Sequence, residues 1–343
     1  LGYVGAVSIA ALAAAGHELV GVDANPDKVA MVRAGRSPVI EAGVDELMAA
    51  GVRSLRIRAT TDARVAVEVS DVAIICVGTP SLPNGNLDLT QVEKVCGDIG
   101  AALAARSAGE RYVVVARSTM LPGSMADIVI PALERSSGLT ARVDFGIAFN
   151  PEFLREGTAI RDFHQPPFTL IGADDEDSAA RARAIYASVD AENLVVPINV
   201  AEMVKYTSNA YHALKVDFAN EIGAICKASG IDGRAVMDVF VRDTSLNVSA
   251  AYLRPGFAFG GSCLPKDVRA LAHHARRNDV KVPLLDAILP GNEAHLERAL
   301  TLVKACGSKR VGVLGFSFKA GTDDLRESPT VELIERLIGK GYD

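Results

Sequence analysis

Residues 259–267 read Phe-Gly-Gly-Ser-Cys-Leu-Pro-Lys-Asp, placing Cys263 behind two glycines and ahead of Pro265, Lys266 and Asp267. A buried structural cysteine needs no such neighbours. A nucleophilic one does, because the thiolate is the reactive form and its free pKa of about 8.5 must be lowered. Gly260 and Gly261 allow backbone amides and a substrate to come close, and Leu-Pro-Lys-Asp reads as the first turn of a helix. A helix start offers unpaired N–H groups and positive potential to an anion, and Lys266 adds a cation. The chemistry this predicts is attack by a thiolate; the alternative is a tight turn ahead of a helix.

A second reactive set lies on what reads as one long helix from about Val200 to Ser229. At 100° per residue, Lys205, Asn209, His212 and Asn220 fall within about 80° of one another. Met203, Ala210, Leu214, Phe218 and Ile225 fall on the opposite side. Lysine, asparagine and histidine on one face form a hydrogen-bonding set, whereas an ordinary solvated face mixes Glu and Lys; both readings stay open here.

These groups need a frame. Leu1-Gly-Tyr-Val-Gly5 leads into an alanine-rich helix ending near Gly16, and Glu18–Asp23 reads as a strand tipped by an acid. A dinucleotide fingerprint is a G-x-G-x-x-G turn between strand and helix, followed about 20 residues later by an acid for the ribose hydroxyls. Gly2 and Gly5 supply its last two glycines, and Asp23 follows Gly5 by 18 residues. No arginine follows Asp23, whose carboxylate would repel a 2′-phosphate, so NAD is expected rather than NADP. Further strands are expected at 72–77, 112–116, 145–148 and 168–172, alternating with helices. That alternation predicts a parallel sheet with ligands at its carboxyl ends. Gly78-Thr79-Pro80, Arg117-Ser118-Thr119 and Asn150-Pro151-Glu152 follow three of those ends. Near Lys309 a strand-then-helix pattern restarts.

Composition agrees with an α/β protein: 343 residues, 49% hydrophobic, 30 glycines, 15 prolines and no tryptophan. A net charge of −6 without a long basic run argues against nucleic acid or an anionic membrane as partner. No apolar run reaches the ~18 residues of a membrane span. Cys76, Cys96, Cys226, Cys263 and Cys306 are scattered, forming neither a C-x-x-C pair nor an alternation with histidine. Neither a disulfide framework nor a metal site is expected, and an odd number of free thiols fits a reducing cytoplasm. His273 and His274 are adjacent, so on a helix they diverge by about 100° and make a poor metal pair.

Taken in order, Leu-Gly-Tyr-Val-Gly (1–5), Val-Gly-Thr-Pro (77–80), Ser-Thr-Met-Leu-Pro-Gly (118–123), Asn-Pro-Glu-Phe-Leu-Arg-Glu (150–156), Gly-Gly-Ser-Cys-Leu-Pro-Lys-Asp (260–267) and Gly-Thr-Asp-Asp-Leu-Arg-Glu-Ser-Pro (321–329) resemble the UDP-glucose/GDP-mannose dehydrogenase family. The resemblance runs from the first residue to the last. Within the family, the wording of 254–263, 216–223 and 316–326 points to GDP-mannose as substrate and an alginate-type polymer as destination, with UDP-glucose or another UDP-hexose as the alternative. The GDP-mannose members of that family carry two successive tyrosines before Arg254; here Ala251 precedes Tyr252, so one aromatic contact is lost.

The resemblance implies a four-electron oxidation of a sugar C6 alcohol to a carboxylate with two NAD, through a thiohemiacetal and a thioester on Cys263. It places Lys205 and Asn209 at the reacting oxygen, Lys205 serving as base if burial lowers its pKa. It gives Asp267 an orienting role and makes Thr119 and Glu152 the water-holding pair for hydrolysis. For NAD the matched positions are Gly2, Tyr3, Val4, Gly5, Asp23, Lys28, Thr79, Thr119, Lys266 and Arg326. For the nucleotide sugar they are Glu156, Lys205, Asn209, His212, Asn220, Tyr252, Arg254, Phe257, Gly260 and Lys319. It also implies a homodimer or higher oligomer built around the long helix.

The expected fold is therefore a doubly wound Rossmann-type NAD domain (1–199), a central helical dimerisation and catalytic domain (200–298), and the start of a second Rossmann-like nucleotide-binding domain (299–343). The chain opens on Leu1 rather than Met and stops at Asp343, where Gly-Lys-Gly-Tyr-Asp reads as the opening of a strand. It reads as truncated at both ends, with the first strand missing. Two alternatives remain at this level: a two-electron hydroxyacid dehydrogenase, which would not need Cys263, and a non-catalytic nucleotide-binding fragment.

Overall fold

The computed structural model describes residues 1–84, 86–106, 110–249, 256–261, 264–317 and 325–343; the side chains of Val216, Asp267 and Ala270 also lie outside what it describes. The chain divides into two compact units, Leu1–Asn209 and Ala210–Asp343.

The first unit runs α1 (Tyr3–Ala14), β1 (Leu19–Val22), α2 (Pro26–Arg33), α3 (Val44–Arg53), β2 (Ile57–Thr60), α4 (Ala63–Glu68), β3 (Val72–Ile75), α5 (Thr90–Ala105) and β4 (Val113–Ala116). A π-helical turn, Met125–Val129, then leads into α6 (Ile130–Ser137). After it come β5 (Gly146–Phe149), α7 (Ala159–His164), β6 (Thr169–Ala173), α8 (Glu176–Ala184), β7 (Asn193–Val196) and the start of the long helix α9 (Ile198–Ala228). β1 pairs with β2, and the remaining strands form one sheet in the order β3-β4-β5-β6-β7.

Both faces of that sheet are covered, which is what its near-continuous apolar strands demand. Val114, Ala116, Ile147 and Phe149 pack with residues of α5 and α6, while Val113, Val115, Ala148 and Ile171 pack with residues of α1, α7 and α8. α1 is buried almost all round, from Ala6 to Ala13, so its alanines serve close packing rather than an amphipathic face.

The expected parallel sheet is present, with one antiparallel pairing that the pattern does not announce. β3, β4 and β5 are parallel, as are β6 and β7, but β6 runs antiparallel to β5, with Ala148 opposite Ala173. The segment after β5 never returns to the amino edge: α7 stays beside α1, burying Ala159 and Phe163, and the chain re-enters from the carboxyl edge. β2 and β7 are short strands that the sequence pattern does not single out.

The second unit is helical among its described residues: the rest of α9, then α10 (Gly233–Phe240), α11 (Leu264–Arg277), α12 (Pro283–Ala305) and α13 (Pro329–Ile338). Ile225, Ala275, Val282 and Leu285 form its small core. The strand expected after Lys309 is absent among the described residues. Residues 309–317 are irregular and mostly exposed, and their backbone bonds run to Asp343: Val311 N donates to Asp343 O at 2.8 Å and Asp343 N to Lys309 O at 2.7 Å. A strand needs a ladder on its flank, and two bonds to a single residue do not make one.

Candidate active site

In the first unit the expected ligand groups lie at the carboxyl edge of the strands. Gly2 stands at the N-cap of α1 with an extended backbone and no side-chain cap, leaving the first-turn amides without a side-chain acceptor. A Cβ at Gly2 or Gly78 would meet nothing within 4 Å. Open space over an uncapped helix start is what a dinucleotide diphosphate requires, so the residues present fit NAD. Asp23, just past β1, lies 3.8 Å from Lys28 and accepts Asn25 N at 2.8 Å. Thr79 Oγ1 donates to Thr119 O at 2.7 Å, and Ser118 Oγ to Val77 O at the same distance, joining the loops after β3 and β4.

The loop after β5 brings Glu152 against Lys205 of α9. Lys205 Nζ is 3.1 Å from Glu152 Oε1, and 5.3 Å from the centroid of the Phe153 ring. Lys205 is only 6% exposed, although it lies on a helix whose neighbour Met203 is 54% exposed. The other Glu152 oxygen accepts Leu154 N at 2.7 Å. The carboxylate expected to hold water beside Thr119 is thus also the lysine's partner. Asn209, one turn on, is exposed, as are His212 and Asn220 in the second unit.

Glu202, one turn before Lys205, is 1% exposed and accepts Gly123 N at 2.8 Å and Met125 N at 2.9 Å. Burial raises its pKa, while those two amides oppose the rise. It pins α9 to the segment that continues from Thr119. Sequence reasoning does not single out Glu202; its only signal is the spacing of three from Lys205. Behind the same edge, Arg117 Nη1 donates to Asn150 Oδ1 and, at 2.7 Å, to Tyr186 Oη, all three residues being buried. This neutral clasp on a guanidinium ties the end of β4 to the end of β5.

Tyr3 does not stand alone. Its phenol donates to Glu41 Oε2 at 2.6 Å, and Glu41 also accepts Gly157 N at 2.7 Å and Ala159 N at 3.0 Å. Glu156, exposed, precedes that turn. Glu41 is another residue the motifs do not mark.

In the second unit, Cys263, Tyr252, Arg254 and Lys319 lie outside the described residues, as does the Asp267 side chain. What surrounds the cysteine segment is well defined. α11 begins at Leu264, immediately after Cys263, as the Leu-Pro-Lys-Asp pattern predicts. Asn292 on α12 clasps the backbone of Phe259 on both sides, accepting its N–H at 2.9 Å and donating to its carbonyl at 2.8 Å. His295 Nε2 donates to Gly256 O at 2.6 Å, with Arg298 bonded to its Nδ1 at 2.9 Å. A Cβ at Gly260 would lie 2.1 Å from Glu327 O and 2.6 Å from Pro329 Cδ. Gly260 is therefore explained by backbone crowding against the 327–329 turn, whereas the sequence suggests access for a substrate. Glu327 in turn receives both guanidinium nitrogens of Arg269, at 2.6 and 3.0 Å. Phe257, Lys266 and Arg326 are exposed.

Comparison with known proteins places this site in context. Models of the UDP-glucose/GDP-mannose dehydrogenase family match the chain three times: the NAD binding domain over residues 1–190, the central domain over 199–294 and the UDP binding domain over 312–343. The chain is 55% identical over 342 residues to the GDP-mannose 6-dehydrogenase of Pseudomonas putida, covering 100% of this chain and 78% of that protein. The crystal structure of a ternary complex of GDP-mannose dehydrogenase from Pseudomonas aeruginosa superposes with a TM-score of 0.98 at 52% identity, covering 100% of this chain and 78% of that one. A UDP-glucose dehydrogenase from Pyrobaculum islandicum gives 0.68 at 38% identity, covering 99% and 78%.

Proposed function

The chain belongs to the UDP-glucose/GDP-mannose dehydrogenase family and is an NAD-dependent nucleotide-sugar dehydrogenase; we propose that its substrate is GDP-mannose, oxidised at C6 to GDP-mannuronate for an alginate-type polymer. The observation that carries this substrate is the contrast between 52% identity with a TM-score of 0.98 to a GDP-mannose dehydrogenase, and 38% with 0.68 to a UDP-glucose enzyme.

NAD, when bound, supplies the hydride acceptor, and two equivalents account for the four electrons. By the family resemblance, Gly2, Tyr3, Val4, Gly5, Asp23, Lys28, Thr79, Thr119, Lys266 and Arg326 would hold it. At the sugar, Lys205 and Asn209 aim donors at the C6 oxygen; removing one such donor from a developing oxyanion costs roughly 100- to 1000-fold in rate. Cys263 adds its sulfur to the C6 aldehyde, and its proton ends on the hemiacetal oxygen. Oxidation of that adduct leaves a thioester. Water then attacks the acyl carbon, the carbon–sulfur bond breaks, and the acid leaves with the thiol restored. Glu152, with Thr119, takes the proton of that water. The bond between Lys205 and Glu152 supports this reading, because it places the group for the oxyanion and the base for hydrolysis in contact. Asp267 orients these groups, and Glu156, His212, Asn220, Tyr252, Arg254, Phe257, Gly260 and Lys319 hold the nucleotide sugar. A guanidinium at Arg254 suits the diphosphate.

The division 1–199, 200–298 and 299–343 belongs to the same proposal, as does a homodimer around α9. The exposure of Val200 and Met203, which line an open hollow with Asn199, Val204, Thr207 and Ser208, supports coverage by a second copy. Among the described residues no helix is long and apolar enough to cross a membrane, and we place the enzyme in the cytoplasm, where its scattered thiols stay reduced.

The test is to supply GDP-mannose and UDP-glucose separately and count NADH formed per sugar. Two NADH per GDP-mannose, with little turnover of UDP-glucose, is the expected outcome. One NADH with free aldehyde accumulating would remove the thioester route, and equal use of UDP-glucose would overturn the substrate.

A further inference from the structure

The carboxylate of Glu41 belongs to neither expected ligand set, yet it is bonded to a member of one and to the backbone beside the other. Its three donors come from two places: the phenol of Tyr3, in the first turn of α1, and the amides of Gly157 and Ala159, at the entry to α7. The entry to α7 continues directly from the segment that carries Glu152 and Glu156. Gly157 has φ of +85°, a conformation that favours glycine.

The turn is stiff before Glu41 reaches it. Arg155 donates to Asp162 through Nε at 2.9 Å and Nη2 at 2.7 Å, and Thr158 Oγ1 adds a third bond to the same carboxylate at 2.9 Å. A braced turn passes on a displacement instead of absorbing it. On its far side, Glu152 holds Lys205. A path therefore runs from the cofactor turn through the Glu41 carboxylate to the 157–159 amides, and along the chain to the Glu152 carboxylate and its lysine. The proton sits on the phenol: burial and Glu41 push the Tyr3 pKa upward, and the Tyr3 hydroxyl, with the Gly157 amide, holds that of Glu41 down.

We propose that Glu41 is a positioning residue that makes binding of the dinucleotide at the α1 turn and of the nucleotide sugar at the 152–156 segment cooperative. The inference rests on the site reading given above. A ligand seated against Tyr3 fixes the phenol, the phenol fixes Glu41, and Glu41 fixes the amides at 157 and 159. The second ligand then meets a segment already ordered and loses less conformational freedom on binding. By linkage the effect is the same in either order.

NADH and GDP-mannose form a pair that cannot react, so the coupling is measurable at equilibrium. The Kd of NADH is determined by calorimetry with and without saturating GDP-mannose, for the wild type, Tyr3→Phe and Glu41→Gln. The sugar should tighten NADH in the wild type by about 5- to 150-fold, the usual span of such couplings. In both variants the ratio should fall towards one; because Tyr3 is itself a dinucleotide contact, the ratio and not either Kd alone is the readout. Tyr3→Phe removes one hydroxyl and keeps the ring, so it stands as the test if Glu41→Gln folds poorly. A loss of melting temperature without a change in ratio would make Glu41 merely structural and overturn the proposal. So would a wild-type ratio of one. Failure of the wild type to bind GDP-mannose at all would instead overturn the substrate reading, and the inference with it.

Discussion

Lys205 and Glu152 are the residues on which the proposed chemistry turns, and their 3.1 Å bond would have a kinetic consequence. If each acted alone, the costs of removing them would add. Bonded groups that share one reaction coordinate do not add. Lys205→Ala should lower kcat by roughly 100- to 1000-fold, and Glu152→Gln by a similar order. The double variant should cost clearly less than the product of the two, measured as NADH formation at saturating sugar. Strict additivity would separate the roles assigned to them. The motif around Asn150–Glu156 is plain in the sequence, but the partner of Lys205 is not. Spacing along the chain does not pair Lys205 with Glu152, 53 residues away; the docking of α9 on the β5 loop does. Glu202 and Asn292 are invisible for the same reason: each acts on backbone amides of a distant segment, and no spacing rule encodes such a bond.

At the scale of the element, α9 is anchored through glutamates. Glu202 accepts two amides at the start of the π-helical turn, and Glu221, 5% exposed, accepts Leu284 N and Leu285 N at the start of α12. Both place a carboxylate at the amino end of another helix, where the dipole and the unpaired amides favour it. α8 uses its own cap. Asp175 accepts Ser178 N at 2.9 Å and pairs with Arg111 at 2.9 Å. Burial opposes its charge, but these bonds, with that from the Ser178 hydroxyl, bring its pKa from an ordinary 3.8 to about 2. A depressed carboxylate stabilises the fold above its unfolded pKa, and that contribution is lost as pH falls through the folded value. The first unit should therefore hold its stability down to about pH 4 and lose it progressively towards pH 2. Asp175→Asn should be less stable at pH 7 and lose less on acidification. Urea midpoints followed by circular dichroism between pH 7 and 2.5 check this; parallel pH curves for the two proteins would contradict it.

Across the whole molecule, legibility follows the range of the forces involved. The periodic strands and helices of the first unit are readable because each is apolar enough to require burial on both faces; β3 to β6 and α1 fall where the pattern puts them. The antiparallel turn of β6 is not readable, since it depends on α7 remaining beside α1. The strand expected after Lys309 fails for the complementary reason: Val-Gly-Val-Leu has strand propensity, but propensity without a neighbouring ladder is not a strand. α9 begins two residues before its predicted start, and Met203 stands exposed while Lys205 is buried, a reversal that hydropathy alone cannot anticipate.

Gly260 carries a different lesson, about how such a protein tolerates mutation. A methyl group there would overlap a carbonyl oxygen at 2.1 Å, so Gly260→Ala should lower the melting temperature by several degrees and reduce activity with it. In a saturation screen scored on turnover alone, position 260 would be as intolerant as the neighbouring cysteine. Scored also on abundance, the two positions should part: Cys263→Ser leaves folded, inactive protein, and Gly260→Ala leaves less of it. Equal abundance of the two would show that the turn at 327–329 yields to the added methyl group. Scarcity of Gly260→Ala beside abundant Cys263→Ser would instead make the intolerance of that glycine a record of crowding between two stretches of backbone that must diverge together or not at all.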